Sequence, residues 1–223
     1  MPRKARNSVG GMCYHVINRG NNRSEVFHKD HDYLRFTEMI GEAVARIPMR
    51  VLSWCLMPNH FHLVVQPHND GDLSRWMQWL MTAHVRRYHR HYHSSGHVWQ
   101  GRYKAFMIQE DHHYLTVLRY VESNALRANL VDRAEQWPWS SLYALKRPKQ
   151  FPFLVPGPLR RPRNWRALLN KEQPENELEQ IQISLNRQRP LGSQKWVEKM
   201  VKKMGLESTI KPRGRPPLIK KQG

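Results

Sequence analysis

Two short patterns in the sequence combine residue types that could hold a metal ion beside a nucleophile. His60 and His62 flank Phe61 in an apolar run, and side chains two positions apart in a β-strand project from the same face. Tyr120 and Asn124 are four positions apart, which places them on one face of a helix, about 5 to 6 Å apart at Cβ. Two imidazoles and an amide oxygen could bind a divalent ion that polarises a phosphate for attack by the phenol. The patterns therefore predict metal-assisted nucleophilic chemistry at Tyr120.

Each pattern also has a simpler structural explanation. Paired histidines in an apolar strand can be hydrogen-bonded structural residues, and a half-buried tyrosine can cap a core helix. His89, His91 and His93 repeat the alternating spacing, but they follow Arg86 and Arg87 in a polar segment, where solvation or phosphate contact is the more common role. Tyrosine is a poor nucleophile as the phenol, with an ordinary pKa of about 10, so a catalytic site must stabilise the phenolate or the leaving group.

The charge of the chain indicates a polyanionic partner. The formal net charge is +19 and the sequence pI is about 10.4, a balance typical of proteins that bind nucleic acid by releasing its counterions. From Lys146 onward there are 19 basic and 6 acidic residues, so this region carries +13 and residues 1–145 carry +6. No apolar run is long enough for a membrane span or a signal peptide, and Cys13 and Cys55 suit a reducing compartment. We therefore expect a cytoplasmic protein with no membrane partner.

Apolar spacing and turn residues predict the element order βαββαβα. That order indicates an α+β fold of the ferredoxin-like type, a sandwich in which helices pack on one side of an antiparallel sheet. A basic, partly extended C-terminal region is expected over residues 146–223. The predicted strands cover residues 12–18, 50–57, 61–66 and 103–109, and the predicted helices cover 31–46, 70–92 and 111–127.

Several longer segments, in this order, resemble one protein family. PNHFHLVVQP, HVWQGRYKAF, YVESNALRANLV and WPWSSL are similar to the REP-associated tyrosine transposases, which belong to the HUH single-tyrosine transposases of bacteria. The resemblance covers residues 11–145 and implies an HUH single-tyrosine transposase domain with the same sandwich fold. It implies that His60 and His62 bind the metal ion, Mg²⁺ or Mn²⁺, that Tyr120 is the nucleophile and that Asn124 completes the metal site. Two departures are Ala125, where the family usually has proline, and His89, where asparagine is common.

The resemblance also implies DNA contacts around the site. Arg19 and Arg23 in the first loop and Arg102 before the fourth strand are candidates for phosphate contacts, because a guanidinium group offers a fork of donors. Arg86 and Arg87 could follow a DNA backbone, although a solvated helix end is the more common meaning of such a pair.

Two features outside these loops are also candidates for DNA contacts. Trp99 lies in a glycine-containing loop, where it could stack on an unpaired base or anchor the core. The C-terminal stretch KPRGRPP resembles an AT-hook, in which Arg213 and Arg215 reach into the minor groove on either side of Gly214. A basic tail held near DNA by charge alone is the alternative.

The activity implied by the resemblance is that of a metal-dependent transposase, a single-strand DNA endonuclease and strand transferase. It would act at hairpin or REP-type palindromic DNA through a 5′-phosphotyrosine intermediate. A catalytically silent DNA-binding regulator with the same fold is the alternative, and composition does not separate the two. A histidine-dependent phosphohydrolase is disfavoured because Val64, not a third alternating histidine, follows His62. The sequence does not determine the DNA target or the oligomeric state.

Overall fold

A computed structural model gives the structure of the protein for residues 8–211. Within this range the chain forms four strands and eight α-helices. The strands are β1 (Cys13–Arg19), β2 (Met49–Met57), β3 (His60–Pro67) and β4 (Lys104–Ile108). The helices are α1 (Asp30–Arg46), α2 (Asp72–Tyr92), α3 (His112–Glu122), α4 (Asn124–Arg127), α5 (Ser141–Ala144), α6 (Trp165–Leu169), α7 (Glu175–Arg187) and α8 (Gln194–Met204).

The four strands form one antiparallel sheet with the order β2-β3-β1-β4. This confirms the predicted α+β class, and the strand order is consistent with the ferredoxin-like arrangement. β1 lies beside β3, where Ile17 pairs with His62 and Arg19 pairs with His60. The pairing therefore brings the loop that follows β1 to the N-terminal end of β3, where the two histidines lie.

Helices cover both faces of the sheet, rather than the single side that the sequence predicted. α1 and α2 pack on the face formed by Phe61, Leu63 and Val65. α3 and α4 pack on the opposite face, to which Val64 points. β2 is buried at nearly every position, so alternate residues on both of its faces need an apolar partner. The helix that follows the last strand supplies that partner on the second face.

The predicted third helix is divided in two close to the proposed nucleophile. Asp111 caps the start of α3 through its side chain, as the sequence predicted. The helix ends before Ser123, whose backbone has φ −95° and ψ 7°. The Ser123 hydroxyl donates to the carbonyl of Arg119 at 2.7 Å, a contact that often bends helices. Asn124 consequently begins a short second helix instead of continuing the first.

The region after residue 145 contributes to the same core as the sheet. Residues 146–211 were predicted to be basic and partly extended, and they contain α6, α7 and α8. Trp165, Leu169, Ile181 and Leu185 pack in the apolar cluster of α3. Glu122 at the end of α3 is buried and is bonded to Arg161 of this region at 2.5 Å. The domain boundary at residue 145 stays a prediction.

Candidate active site

A cavity of about 740 Å³ opens on the α3 face of the sheet. Strands β1 and β3 contribute to one side of it, and α3, α4 and α7 contribute to the other. The two sequence patterns meet here although they are far apart in the chain. The sequence-predicted site residues that line the cavity are Arg19, His60, His62, Arg102, Tyr120 and Asn124.

The imidazole rings of His60 and His62 are neighbours in this cavity. Their centroids are 5.0 Å apart and their planes meet at 82°, a separation that allows one nitrogen from each ring to bind a shared ion at about 2 Å. Nδ1 of His62 lies 2.8 Å from Nε2 of His15, which is buried in β1. Nδ1 of His60 lies 2.6 Å from the amide oxygen of Asn59. One nitrogen of each ring therefore has a protein partner, and the other can bind a ligand.

Burial keeps both imidazoles neutral. The pKa of His60 is lowered to about 4, first by burial and then by the positive charges of Arg19 and Arg127. Burial also holds the pKa of His62 well below its usual range, and the neighbouring His60 and His15 rings act in the same direction. Neutral imidazole is the charge state that binds a metal ion, so both rings are in that charge state at pH 7.

The Tyr120 side chain packs directly against this histidine pair. Its ring centroid is 5.5 Å from that of His62, with the planes at 85°, and only 6% of the residue is exposed. The hydroxyl accepts a hydrogen bond from Gln182 of α7 at 3.3 Å. Burial raises the pKa of Tyr120, against the positive charges of Arg127 and Arg19. The phenol is therefore protonated at neutral pH, and its activation requires positive charge nearby.

Arg127 and Gln182 contact the tyrosine but were not predicted from the sequence. The guanidinium carbon of Arg127 lies 4.1 Å from the centroid of the Tyr120 ring, and its Nη2 donates to the Tyr120 carbonyl at 3.1 Å. Arg127 follows Tyr120 by seven positions, which is two helical turns, so its place on the same face could have been read from the spacing. Gln182 lies in a region with no comparable signal. The guanidinium group is placed to stabilise negative charge that develops near the phenol.

Asn124 completes the set of possible metal ligands. It is buried at the start of α4 and lines the cavity with Tyr120, His60 and His62. Two neutral imidazoles and an amide oxygen are a donor set that suits a divalent ion with mixed nitrogen and oxygen ligands. The donor chemistry therefore fits the ion that the sequence predicted.

A second group of possible ligands lies elsewhere in the described part of the chain. Asp111, His112 and His113 are close together at the start of α3. The Asp111 carboxylate already accepts the backbone N–H of His113 at 2.9 Å and its Nδ1 at 2.7 Å. Helix capping accounts for this arrangement.

The predicted phosphate contacts fall into two groups. Arg19 and Arg102 line the cavity, and Nε of Arg19 is buried without a hydrogen-bond partner among residues 8–211. Arg23 is exposed in the short 3-10 turn Asn21–Arg23 that follows β1. Arg86 and Arg87 lie on α2, on the other face of the sheet, where they line a separate cleft of about 500 Å³. The structure does not bring this last pair to Tyr120.

The structure places Trp99 in the core and does not present it for stacking on an unpaired base. Its indole is 6% exposed and lies between the rings of Phe61 and His84, each with its centroid 5.2 Å away. An indole enclosed in this way has no free face for a base, so Trp99 is the core anchor that the sequence left as an alternative. Arg213 and Arg215 of the AT-hook-like stretch lie outside the described residues.

Comparisons with known proteins identify the family of this chain. The family model described as "Transposase IS200 like" matches residues 8–124. The REP-associated tyrosine transposase of Escherichia coli is 24% identical over 136 residues, which cover 60% of this chain and 78% of that protein. A Haemophilus influenzae protein provisionally given the same name is 26% identical over 124 residues, which cover 50% of this chain and 70% of that protein.

A solved structure shows the same fold. It is that of a REP-associated tyrosine transposase bound to a REP hairpin, with a TM-score of 0.50 and 21% identity, and the match covers 70% of this chain and 92% of that chain. Fold, family model and relatives together define a DNA transposase with a tyrosine nucleophile. The chain belongs to the IS200-like transposase family. Its helices, as far as residues 8–211 show, include none with the length and apolarity that crossing a membrane requires.

Proposed function

We propose that the protein cuts and rejoins single-stranded DNA beside REP-type hairpins, with Tyr120 as the nucleophile and with Mg²⁺ or Mn²⁺ held by His60, His62 and Asn124. The observation that carries the proposal is the contact between the Tyr120 and His62 rings in one cavity, with centroids 5.5 Å apart. We propose a REP hairpin as the substrate because it is the ligand in the solved transposase structure whose fold matches. DNA of this class is consistent with the net charge of +19.

The proposed reaction exchanges one phosphodiester for another. The Tyr120 Oη atom attacks the phosphorus, a tyrosine–phosphate bond forms, and the bond from phosphorus to the 3′ oxygen of the preceding nucleotide breaks. The phenol loses its proton, and the leaving 3′ oxygen gains one. When bound, the divalent ion supplies Lewis-acid polarisation of the phosphate. Because the phosphotyrosine conserves the energy of the phosphodiester, a new 3′-OH can reverse the step without a nucleotide cofactor.

The residues around the tyrosine are proposed to stabilise negative charge and to position the reacting groups. The Arg127 guanidinium group faces the phenol ring, where it stabilises the charge that forms as the proton leaves. Arg19 and Arg102 line the same cavity and are proposed to bind the phosphates that flank the reacting bond. Gln182 donates to the Tyr120 hydroxyl and so leaves the phenol proton free to point to another acceptor. Catalysis then depends on placement rather than on a strongly basic side chain.

The experiment that tests the proposal detects the covalent intermediate. A REP-type hairpin with a single-stranded flank is labelled at its 3′ end, because the fragment downstream of the cut stays on the tyrosine. Wild-type protein with Mg²⁺ or Mn²⁺ is expected to give a labelled protein band in a denaturing gel. The Tyr120→Phe variant is expected to give none and to bind the same DNA within about threefold, because only the hydroxyl is lost.

Tyr114→Phe provides a matched control. Tyr114 lies in the same helix and is fully buried, and its hydroxyl has no hydrogen-bond partner among the described residues. Its removal is expected to leave adduct formation unchanged. If the wild type binds hairpin DNA but forms no adduct with either ion, the chain acts as a silent DNA-binding regulator and the proposal fails.

A further inference from the structure

Metal binding by a neutral histidine depends on which ring nitrogen carries the proton. Only the nitrogen without a proton has a lone pair for the ion, and the hydrogen bond made by the other nitrogen decides which one that is. His60 and His62 each have one nitrogen, Nδ1, next to a protein group. The identity of these two groups therefore determines whether Nε2 of each ring can bind an ion.

Asn59 determines the tautomer of His60 without ambiguity. Nδ2 of Asn59 donates to the carbonyl oxygen of Arg23 at 3.1 Å, and this contact fixes the amide so that its oxygen faces His60. The distance from that oxygen to Nδ1 of His60 is 2.6 Å. A carbonyl oxygen only accepts hydrogen bonds, so Nδ1 of His60 must carry the proton. Nε2 of His60 then keeps the lone pair that a metal ligand requires.

His15 makes the corresponding contact to His62, with two possible proton positions. Its Nε2 lies 2.8 Å from Nδ1 of His62, and one of these two atoms must donate to the other. If His62 donates, its Nε2 keeps a lone pair and can bind an ion. If His15 donates, Nε2 of His62 carries a proton and cannot.

The remaining nitrogen of His15 shows what the ligand form of His62 requires. Nδ1 of His15 is buried and has no hydrogen-bond partner among residues 8–211. In the ligand form of His62 this atom carries a proton, and in the other form it carries a lone pair. An ion on Nε2 of His62 requires the first form, so ion binding and the His15 tautomer are coupled.

We propose that Asn59 and His15 are positioning residues that present Nε2 of His60 and Nε2 of His62 to one divalent ion. The inference rests on the proposed function, because it takes these histidines as the metal ligands. It adds that the turn between β2 and β3 and the central strand β1 select the metal-binding form of the site. Asn59 contacts the ring of the next residue in the sequence. His15 contacts His62 from the neighbouring strand β1, and the two residues are 47 positions apart in the chain.

The test measures Mn²⁺ affinity of the full chain directly, from the electron paramagnetic resonance signal of free Mn²⁺. Asn59→Ala removes the accepting oxygen and is expected to weaken Mn²⁺ binding about 10- to 100-fold. Asn59→Asp keeps an oxygen at the same place and is expected to stay within about threefold of the wild type. Asn59 is only partly buried, and its backbone carbonyl bond to Gly20 is independent of the side chain, so both variants are expected to fold. Equal Mn²⁺ affinity of Asn59→Ala and the wild type overturns the inference.

A second measurement needs no activity, and its first part needs no ion. Long-range ¹H–¹⁵N spectra of the histidine-labelled wild type are expected to show His60 with its proton on Nδ1. A proton on Nε2 of His60 overturns the inference even if the variants behave as expected. The same spectra recorded with a diamagnetic ion, Mg²⁺, are expected to show the proton of His62 on Nδ1. A proton that stays on Nε2 of His62 removes His15 from the proposal.

These outcomes separate the inference from the function on which it rests. If the adduct forms with Mn²⁺ while Asn59→Ala binds Mn²⁺ normally, the inference fails and the proposed function stands. If Mn²⁺ binding depends on Asn59 but Tyr120 forms no adduct, the inference stands and the proposed function fails. A wild type that binds no Mn²⁺ overturns both the metal part of the function and the inference.

Discussion

The two faces of the sheet bury histidine in different surroundings. On the α1/α2 face, His84 packs against the aromatic rings of Phe27, Phe36 and Trp99, and burial lowers its pKa to about 3. On the α3 face, burial also lowers the pKa of His62, but this ring lines a cavity together with a tyrosine. A low pKa therefore reports burial on both faces. What identifies the site is the convergence of several chemical groups on space that a ligand can enter.

The α3 face also contains a buried carboxylate that links several elements, and its removal is the substitution with the largest expected effect. Glu122 on the α3 face accepts hydrogen bonds from Ser53, Ser141, Trp165 and Arg161 at 2.5 to 3.0 Å. Glu122→Ala is expected to lower the free energy of unfolding by about 3–5 kcal/mol, because it leaves the partly buried Arg161 charge and the buried hydroxyl and indole donors without their acceptor. Urea denaturation measures this change in the free energy of unfolding. Glu122→Gln keeps an acceptor and is expected to lose less, and equal losses for the two variants would contradict the ion-pair explanation.

A pair of histidine substitutions tests whether the difference between the faces is functional. His62→Gln is expected to reduce the rate of adduct formation about 100-fold or more, because a metal ligand is lost. His84→Met, on the aromatic face, is expected to change that rate by less than about twofold, since the rings that His84 contacts among residues 8–211 do not line the cavity. Single-turnover assays with the labelled hairpin measure both rates. A similar loss in both variants would show that burial, and not ligation, explains the effect of His62.

Acid stability provides a sharper view of His84 itself. Its pKa is about 3 in the folded protein and about 6.5 when unfolded, so the stabilisation is fully present above about pH 6.5. Between these values the unfolded chain binds one more proton at this site, and the free energy of unfolding falls by about 1.4 kcal/mol per pH unit as the pH decreases. Denaturation of His84→Met between pH 6 and pH 4 is expected to show a slope smaller by that amount. An unchanged slope would mean that His84 becomes protonated in the folded state.

The smallest expected effect compares two arginines that the sequence treated alike. Arg102 lines the Tyr120 cavity, whereas Arg86 lines the cleft on the other face. Arg102→Ser is expected to weaken binding of the hairpin with its single-stranded flank about fivefold, as expected for one lost phosphate contact of about 1 kcal/mol. Arg86→Ser is expected to change it by less than about twofold. Fluorescence anisotropy at fixed salt measures both, and a larger loss for Arg86 would place the DNA on the α1/α2 face.

The sequence by itself determined the local geometry of this protein. Alternation along β3 places His60 and His62 on one face and Phe61 on the other, and Asp111 begins α3, as expected. Tyr120 and Asn124 line the same cavity even though Ser123 interrupts the helix. Such relations depend on residues within a few positions of one another.

Only the tertiary structure decided which face of the sheet each element covers. It brought α3 to the histidine face instead of the face of α1 and α2, placed Gln182 and His15 against the site, and enclosed Trp99 in the core. The physical reason is that a strand that is apolar on both faces must pack against helices on both faces. The sequence of the strand does not determine which helix packs on which face. That choice depends on how all the helices fill both faces together.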